Sequence, residues 1–161
     1  MTTELEALAA RVARIEDELA IRRVILTYGP AADAGETARA GALWADDGAY
    51  DWDAERPALQ GPDAVAAMLQ GEGHQSLIAR GVAHFAGPPL IEVDGDRATA
   101  LSYSFVLRRD DDQRVYVWRL GAARWEFGSA RRLIQRSRTS PHGSPQPRGG
   151  FARTFDCTQP V

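Results

Sequence analysis

The pattern of apolar residues changes once along the chain, and this change constrains the fold more than any other feature of the sequence. Up to residue 69, apolar positions recur mainly at spacings of three and four, which is the period of a helix. Later segments predict strands over 82–93, 98–107, 115–127 and 131–139, with turn-forming residues at 94–96 and 110–112. Helices followed by a meander of long antiparallel strands indicate an α+β domain rather than an alternating doubly wound one.

The first helical segment carries two apolar stripes over residues 3–28, as one long helix or two in tandem. The first stripe consists of Leu5, Leu8, Val12, Ile15 and Leu19. It lasts about two and a half heptads, which is less than a coiled coil needs, so we expect it to dock on the domain body, with a dimer contact as the alternative. Gly29 and Pro30 predict a break or kink, because proline lacks an amide hydrogen and restricts the residue before it. Asp33 would then lie just past a bend.

Three shorter elements are predicted before the strands: a helix over 36–47, a strand over 49–53 and a helix over 62–69 with Pro62 in its first turn. We expect residues 1–143 to form a single domain with a helical extension at its N-terminus. Residues 144–161 form a tail rich in proline and glycine, and most such tails are mobile. Because Phe151 and Phe155 would gain from burial, the tail could instead fold back as a lid or reach a neighbouring subunit.

The charged and reactive residues exclude several classes of function. All 19 basic residues are arginine, and the absence of lysine excludes a Schiff-base nucleophile and the lysine of a phosphate-binding P-loop. A net charge of -3 gives no general attraction to nucleic acid or to an anionic membrane, so neither is expected as a partner. Cys157 is the only cysteine, which excludes a disulfide within the chain. The amphipathic, charged start predicts neither a signal peptide nor a membrane span, and a cytoplasmic protein is the simplest interpretation.

Familiar metal and nucleotide motifs are absent from the sequence. His74, His84 and His142 are too scattered for a known ligand spacing, so no metal is predicted. The glycines at 71–73 and 149–150 fit turns better than a dinucleotide fingerprint, so no cofactor is expected. A basic cluster is formed by Arg131, Arg132, Arg136 and Arg138. It lacks the interleaved aromatic residues on which nucleic-acid bases stack.

Four segments, in this order and spacing, resemble one known family: LTYGPAADAGE, LWADDGAYDW, AHFAGPPLIEVDGDRATALSY and RWEFGSARRLIQRSRTSPHG. They resemble the SnoaL-like branch of the nuclear-transport-factor-two-like superfamily, over roughly residues 15–143. The resemblance implies a cone-shaped α+β barrel, in which helices wrap a curved, mostly antiparallel sheet around a deep apolar pocket. It also implies homodimers, or higher homo-oligomers, that pair through the convex face of the sheet. The family hosts several reactions, so the resemblance does not name one.

Asp33 and His84 are the leading candidates for catalysis. They match an Asp/His dyad of the dehydratase and dehydrochlorinase relatives, in which the aspartate follows the first helix and the histidine lies on a long strand. A carboxylate bonded to one ring nitrogen fixes the tautomer of an imidazole and raises the basicity of the other nitrogen. Such a histidine can remove a proton next to a carbonyl or hydroxyl group. The alternative is that Asp33 closes the turn before the second helix and His84 is an ordinary strand residue.

Aromatic and polar residues on the predicted strands are candidates for contacting the substrate. Tyr50 and Trp52 share one face of a short strand, and either Tyr28 or Tyr50 could stabilise developing negative charge. Further candidates for substrate binding are Trp118, Ser104, Arg119 and Ser102. Ser102 occupies the best match to a second histidine of scytalone dehydratase, which leaves a single-base mechanism. Arg119 and Arg136 could bind an anionic group or Asp33, or they could lie on the outer face of the sheet, and alternation alone does not decide between these.

Two hypotheses follow for the function. In the first, the chain is a cofactor-independent dehydratase, dehydrohalogenase, isomerase or polyketide-type cyclase that removes a proton from an apolar cyclic substrate. In the second, it is a non-catalytic member that binds a ligand or serves as an assembly subunit. A hydrogen bond of 2.6 to 3.2 Å between Asp33 and His84 would favour the first.

Overall fold

A long first helix packs against one end of a curled sheet, and three short helices complete the wall around its concave face. The computed structural model describes residues 3–53, 56–128 and 134–141, apart from the side chains of 135, 138, 140 and 141. The elements are α1 (Glu4–Asp33), α2 (Thr37–Gly41), β1 (Trp44–Asp51), β2 (Leu59–Gln60), α3 (Gly61–Gln70), α4 (Glu72–Arg80), β3 (Val82–Ala86), β4 (Leu90–Asp94), β5 (Arg97–Arg109), β6 (Val115–Phe127) and β7 (Ile134–Pro141). The predicted tail, with Cys157, Phe151 and Phe155, lies outside the described residues, as do His142, Arg131 and Arg132.

The sheet is built around the antiparallel pair β5 and β6. This pair runs from Ala98 opposite Phe127 to Arg109 opposite Val115. The strand order is β2-β1-β7-β6-β5-β3, with β4 also pairing with β5. β1 and β7 run parallel, and the other pairs are antiparallel. The predicted α+β fold with a curved, mostly antiparallel sheet is therefore confirmed.

The predicted strand over 82–93 is two strands. β3 pairs with the second half of β5 and β4 pairs with the first half. The segment between them contains Pro88 and Pro89, which have no amide hydrogen to donate to a neighbouring strand. The prediction for 115–127 matches β6, and the turns at 94–96 and 110–112 join the strands as expected.

The core lies between the second half of α1, the helix α3 and the concave face of the sheet. Its fully buried side chains include Ile21, Ile25, Trp44, Val65, Leu69 and Ile134. The second stripe of α1 therefore contacts the domain, as the helical period predicts.

The first stripe of α1 does not dock on the domain body, so this expectation is wrong for the single chain. Leu5, Leu8, Val12, Ile15 and Leu19 are all exposed, Leu5 at 75%. A Thr3 capping box stabilises the start of the helix instead, because Thr3 Oγ1 accepts from the Glu6 amide and Glu6 accepts from the Thr3 amide. The stripe remains available to a partner.

The predicted break at Gly29 and Pro30 is also wrong. α1 continues through Pro30 and ends at Asp33. Tyr28, Ala31 and Ala32 are buried against the domain around the proline. We infer that this packing offsets the hydrogen bond that proline removes.

The predicted helix over 36–47 is shorter, and the following strand is longer. α2 ends at Gly41, and β1 begins at Trp44 because Trp44 pairs with Ile134 of β7. Pairing between distant segments has overridden a local helical pattern here. The helix α4 was not predicted, since residues 71–73 were interpreted as a turn; Gly71 separates α3 from α4 and Gly73 lies inside α4.

Candidate active site

A cavity of about 420 Å³ lies between the concave face of the sheet and the helices α1, α3 and α4. Its wall is mainly apolar, with a few polar groups, as is usual for small-molecule sites. The polar or charged side chains on it come from Tyr28, Tyr50, Arg56, His74, His84, Ser104, Arg119 and Thr139. Phe85, Trp118 and Leu120 line the cavity and are also nearly half exposed, so the cavity opens at this side.

Asp33 and His84 are in direct contact, at the distance that the dyad hypothesis requires. Asp33 Oδ1 lies 2.6 Å from His84 Nδ1, and Asp33 Oδ2 accepts the backbone N–H of His84 at 2.7 Å. A carboxylate oxygen accepts, so Nδ1 is the ring nitrogen that donates, and in the neutral form of the imidazole Nε2 is the acceptor nitrogen. Both side chains are about one-fifth exposed. The imidazole of His84 lines the cavity and the carboxylate holds it from behind.

A glycine allows the helix that carries Asp33 to approach the strand that carries His84. A Cβ atom on Gly29 would lie 2.1 Å from the carbonyl oxygen of His84, a distance that no side chain could tolerate. The last turn of α1 can therefore lie directly on β3, which places Asp33 next to His84. Gly29, which the sequence suggested as a helix breaker, acts instead as a contact point between two elements.

Tyr28 and Tyr50 form a hydrogen-bonded pair beside the dyad. Their hydroxyl oxygens are 3.0 Å apart, and the ring of Tyr28 meets the ring of His84 edge-on at 6.2 Å. Burial raises the pKa of Tyr28 well above its ordinary value, with further contributions from Tyr50 and Asp33. Burial also raises the pKa of Tyr50. Both phenols are therefore protonated at neutral pH, and since one hydrogen joins the pair, the other is left to donate to a ligand.

Arg119 directs a positive charge toward the same tyrosines. Its Nη2 donates to the backbone carbonyl of Trp52 at 2.8 Å, which fixes the guanidinium at the cavity wall. Its charge favours the ionised form of both phenols, although burial outweighs it. Arg136 is exposed, on the outer side of the sheet. Arg119 therefore lies at the cavity wall, whereas Arg136 lies on the outer face, and the alternation of residues along the strands alone did not decide this.

The other predicted contact residues divide into those on the cavity wall and those away from it. Trp52, Ser104 and Trp118 line the cavity. Ser102 does not; it is buried at 4% exposure, and the indole Nε1 of Trp125 lies 3.5 Å from its hydroxyl. The expectation that Ser102 contacts the substrate is corrected: Ser102 shares the concave face of β5 with Ser104 but lies further along the strand, where it packs against Trp125 in the core.

His74 belongs to the site and was missed as a site residue. It lies on α4, is buried at 8% exposure and stacks on His84 with ring centroids 5.5 Å apart. His74 and His84, whose spacing in the sequence matches no known metal motif, therefore come into contact in the fold. One signal could have indicated α4: Glu72 and Arg80 stand at opposite ends of a segment between Gly71 and Gly81, which suits the dipole of a helix.

Asp33, His74 and His84 are also the group within the described chain that could be considered for a metal ion. One possible ligand atom of each lies within 4.8 Å of the others. Two ligands of a tetrahedral ion bound at about 2.0 to 2.1 Å are separated by roughly 3.3 Å. The 2.6 Å contact between Asp33 and His84 is shorter than this and has the length of a charge-assisted hydrogen bond. The geometry therefore fits a dyad better than a metal centre.

Comparison with known proteins identifies the family. Residues 13–131 match the family model of the SnoaL-like domain. The chain belongs to the SnoaL-like family. No curated protein matches its sequence.

Solved structures confirm the fold of this SnoaL-like chain. An NTF2-like protein with a cystatin-like fold from Novosphingobium aromaticivorans is 35% identical, and the match covers 90% of this chain and 94% of that one with a TM-score of 0.83. ActVI-ORFA from Streptomyces coelicolor is 17% identical, over 79% of this chain and 98% of that one, with a TM-score of 0.66. A protein assigned as the β subunit of an aromatic-ring-hydroxylating dioxygenase from N. aromaticivorans is 19% identical, over 81% and 91%, with a TM-score of 0.61. The last two likenesses show the fold alone.

Within the described residues of this SnoaL-like chain, no helix combines sufficient length with sufficient apolar character to cross a membrane.

Proposed function

We propose that this chain is a cofactor-independent enzyme that removes a proton from a small, largely apolar, cyclic or polyketide-like molecule bound in the cavity. The observation that carries the proposal is the 2.6 Å contact between Asp33 and an imidazole on the cavity wall. A base on the wall of an apolar pocket, with a partner that orients it from behind, is the arrangement that general-base catalysis requires.

The mechanism begins at Nε2 of His84. This nitrogen takes a proton from a carbon next to a carbonyl, and the electron pair of the C–H bond moves into an enolate. Asp33 stabilises the imidazolium that forms, through the hydrogen bond to Nδ1. The free phenolic hydrogen of Tyr28 or Tyr50, with the charge of Arg119 nearby, stabilises the enolate oxygen. Elimination of water or halide, a double-bond shift or ring closure can each follow from this enolate.

The proposal is tested by proton exchange, which needs no knowledge of the product. The full-length chain is incubated in D₂O with a panel of bicyclic ketones that includes 1-tetralone, and deuterium next to the carbonyl is measured by mass spectrometry. We expect the wild type to accelerate exchange and His84→Ala to lose about a hundred- to ten-thousand-fold of that acceleration. Asp33→Asn should give an intermediate loss, because it keeps the shape of the side chain and removes its charge.

The matched control is Asp63→Asn, which makes the same change as Asp33→Asn at an exposed carboxylate of α3 that does not line the cavity and should leave the exchange rate unchanged. Circular dichroism of each variant checks that the fold is intact. Equal exchange rates in the wild type and in His84→Ala would show that the dyad does not catalyse proton removal.

An assembly or ligand-binding subunit is the second candidate, and the exposed outer face of the sheet favours it. Tyr103 and Phe105 stack there, with ring centroids 6.4 Å apart. The similar dioxygenase β subunit has the same fold, but the low identity carries no activity over. The ordered dyad favours the enzyme, since an assembly role does not require it.

We further propose that the chain forms a homodimer through this outer face, as the family resemblance implies. Tyr103 is 56% exposed and Leu90 is 70% exposed, so the face offers apolar area to a second copy. A cytoplasmic location, which the sequence favours, stays a prediction.

A further inference from the structure

The cavity wall carries positive charge without a matching negative charge. Its lining includes the guanidinium groups of Arg56 and Arg119, and within the described residues no aspartate or glutamate lines it. Arg56 is exposed and already has a partner, because its Nε lies 3.4 Å from a carboxylate oxygen of Asp53. Arg119 is partly buried and belongs to no ion pair of the described residues. Burying a charge is costly unless another group compensates it, so a counter-charge is missing at Arg119.

The hydrogen-bond donors of Arg119 are also incompletely used. Nη2 donates one of its two hydrogens to the Trp52 carbonyl at 2.8 Å. Within the described residues, Nε and Nη1 have no acceptor, although neither nitrogen is fully buried. A guanidinium offers a carboxylate two forks, Nε with Nη2 and Nη1 with Nη2, and each fork uses a different hydrogen of Nη2. The Trp52 carbonyl therefore occupies one fork and leaves the other complete.

A β-bulge turns Arg119 toward the cavity. Arg119 of β6 pairs with Val106 of β5. The next pair along the two strands joins Leu107 and Val117, so Trp118 is an extra residue without a direct partner on β5. Trp118 and Arg119 both line the cavity as a result, whereas consecutive residues of a regular strand face opposite sides. Bulges re-aim side chains in this way beside functional sites.

We propose that Arg119 binds a carboxylate of the substrate through its free fork, so that the preferred substrates are anionic: cyclic ketones that also carry a carboxylate. This inference deepens the proposed function and rests on it for the reaction. In the proposed mechanism the hydrogen bond to the enolate oxygen comes from a tyrosine, so the fork of Arg119 is available for a separate group. The carboxylate supplies the missing counter-charge and fills the open donors.

A carboxylate fits this fork better than a phosphate group does. It is planar and carries a single charge, so one fork of one guanidinium matches it. A phosphate monoester carries nearly two charges at pH 7 and would require a second free cation. The other arginine of the described lining, Arg56, is already paired with Asp53.

Probe pairs that differ in charge but not in shape test this inference. The probes are 1-tetralone-4-carboxylate and 1-tetralone-6-carboxylate, each compared with the corresponding carboxamide. kcat/KM for deuterium exchange next to the ketone is measured in D₂O with the full-length chain, and the ratio of carboxylate to carboxamide is calculated for each variant. A general loss of activity cancels in this ratio, because it affects both members of a pair.

We expect the wild type to favour at least one carboxylate over its carboxamide by about tenfold, since charge-assisted hydrogen bonds are roughly twice as strong as neutral ones. Arg119→Gln should abolish this preference, and Arg119→Lys should keep part of it, because lysine retains the charge but not the fork. The matched control is Arg97→Gln, at an exposed arginine of β5 that does not line the cavity, and it should leave the preference unchanged.

A wild type without the preference, or a preference that persists in Arg119→Gln, would overturn the inference. Binding separates this result from a failure of the proposed function. Isothermal titration calorimetry should show tighter binding of the carboxylate than of the carboxamide in the wild type and in His84→Ala, but not in Arg119→Gln. If the carboxylate binds in this way but the wild type exchanges it no faster than His84→Ala does, the proposed function fails and the contact to Arg119 stands. If exchange depends on His84 but both members of each pair bind equally, the proposed function stands and this inference is overturned.

Discussion

Gly29 shows how one residue can control the geometry of a site that it does not contact chemically. We predict that Gly29→Ala weakens the dyad, because the new Cβ would overlap the His84 carbonyl at 2.1 Å and force α1 away from β3. Overpacking of this kind costs about 1 to 3 kcal/mol of unfolding free energy. The free energy of unfolding, measured in urea, and the exchange rate with 1-tetralone should both fall.

Gly73→Ala is the matched control for stability, since a Cβ there meets no atom within 4 Å and alanine is the better helix former. It should leave the free energy of unfolding unchanged or raise it slightly. A Gly29→Ala variant as stable and as active as the wild type would contradict the close approach of α1 to β3.

The hydrogen bond between Tyr28 and Tyr50 makes a second prediction at the scale of residues. Tyr28→Phe or Tyr50→Phe alone leaves one buried hydroxyl without its partner, which costs about 1 to 3 kcal/mol of unfolding free energy. The double substitution leaves neither hydroxyl, so it should cost less than the sum of the two single substitutions. A double-mutant cycle from urea unfolding at pH 7 should therefore give a coupling energy of about 0.5 to 1.5 kcal/mol. Additive effects of the two substitutions would show that the hydroxyls do not interact.

At the scale of elements, the sequence predicts best where local pattern and long-range packing agree. β6 was predicted at its correct bounds because its apolar and polar residues are consistent with a strand at every level. The residues of the dyad were also predicted, since their types and places match a known family. For residues 42–47 the sequence predicts a helix, and this prediction is wrong. Trp44 lies in a strand because it pairs with Ile134, ninety positions further along the chain, and a local pattern contains no information about so distant a partner.

The helix α4 was missed for a different reason. Its segment has few apolar residues and contains Gly73, so neither periodicity nor helix propensity favours it. Its N-terminus directly follows α3, and its position opposite β3 depends on packing between different elements, which a local sequence pattern does not show. His74 and His84 are ten residues apart in the sequence, and this separation alone does not predict a contact. They meet because the chain turns at Gly81 and brings α4 back over β3.

The two exposed apolar surfaces lead to a prediction about the interface between subunits. These surfaces are the first stripe of α1 and the outer face of the sheet. If the sheet face forms the homodimer, Tyr103→Arg should give a monomer at micromolar concentration by sedimentation velocity, because it places charge within an apolar contact. Leu8→Arg on α1 is the matched substitution and should leave the dimer intact. Dissociation by Leu8→Arg alone would assign the interface to α1 instead.

At the scale of the whole molecule, the curled sheet allows one cavity to collect groups from distant parts of the chain. Tyr28 comes from α1, Tyr50 from β1, His74 from α4, His84 from β3 and Arg119 from β6. Because these groups sit in a mainly apolar wall, the pKa values of Tyr28, Tyr50 and His74 depend on burial and on the neighbouring groups of the site. The stability of the fold must therefore respond to the ionisation of the site.

His74 links the site to the pH dependence of stability. Its folded-state pKa is lowered by burial and by His84, whereas in the unfolded chain it has the ordinary value of 6.5. Below pH 6.5 the unfolded chain therefore binds a proton that the folded chain does not, and the stability from a neutral His74 is lost as the pH falls toward the folded-state pKa.

We predict that the wild type loses more stability between pH 7.5 and pH 5 than His74→Phe does. The difference in unfolding free energy between the two proteins should change with a slope of at most about 1.4 kcal/mol per pH unit, the limit for one proton. Urea unfolding at several pH values measures this slope. If the wild type and His74→Phe showed parallel pH profiles, His74 would not be held neutral in the folded protein. This measurement therefore tests the charge state of the site before any substrate is known.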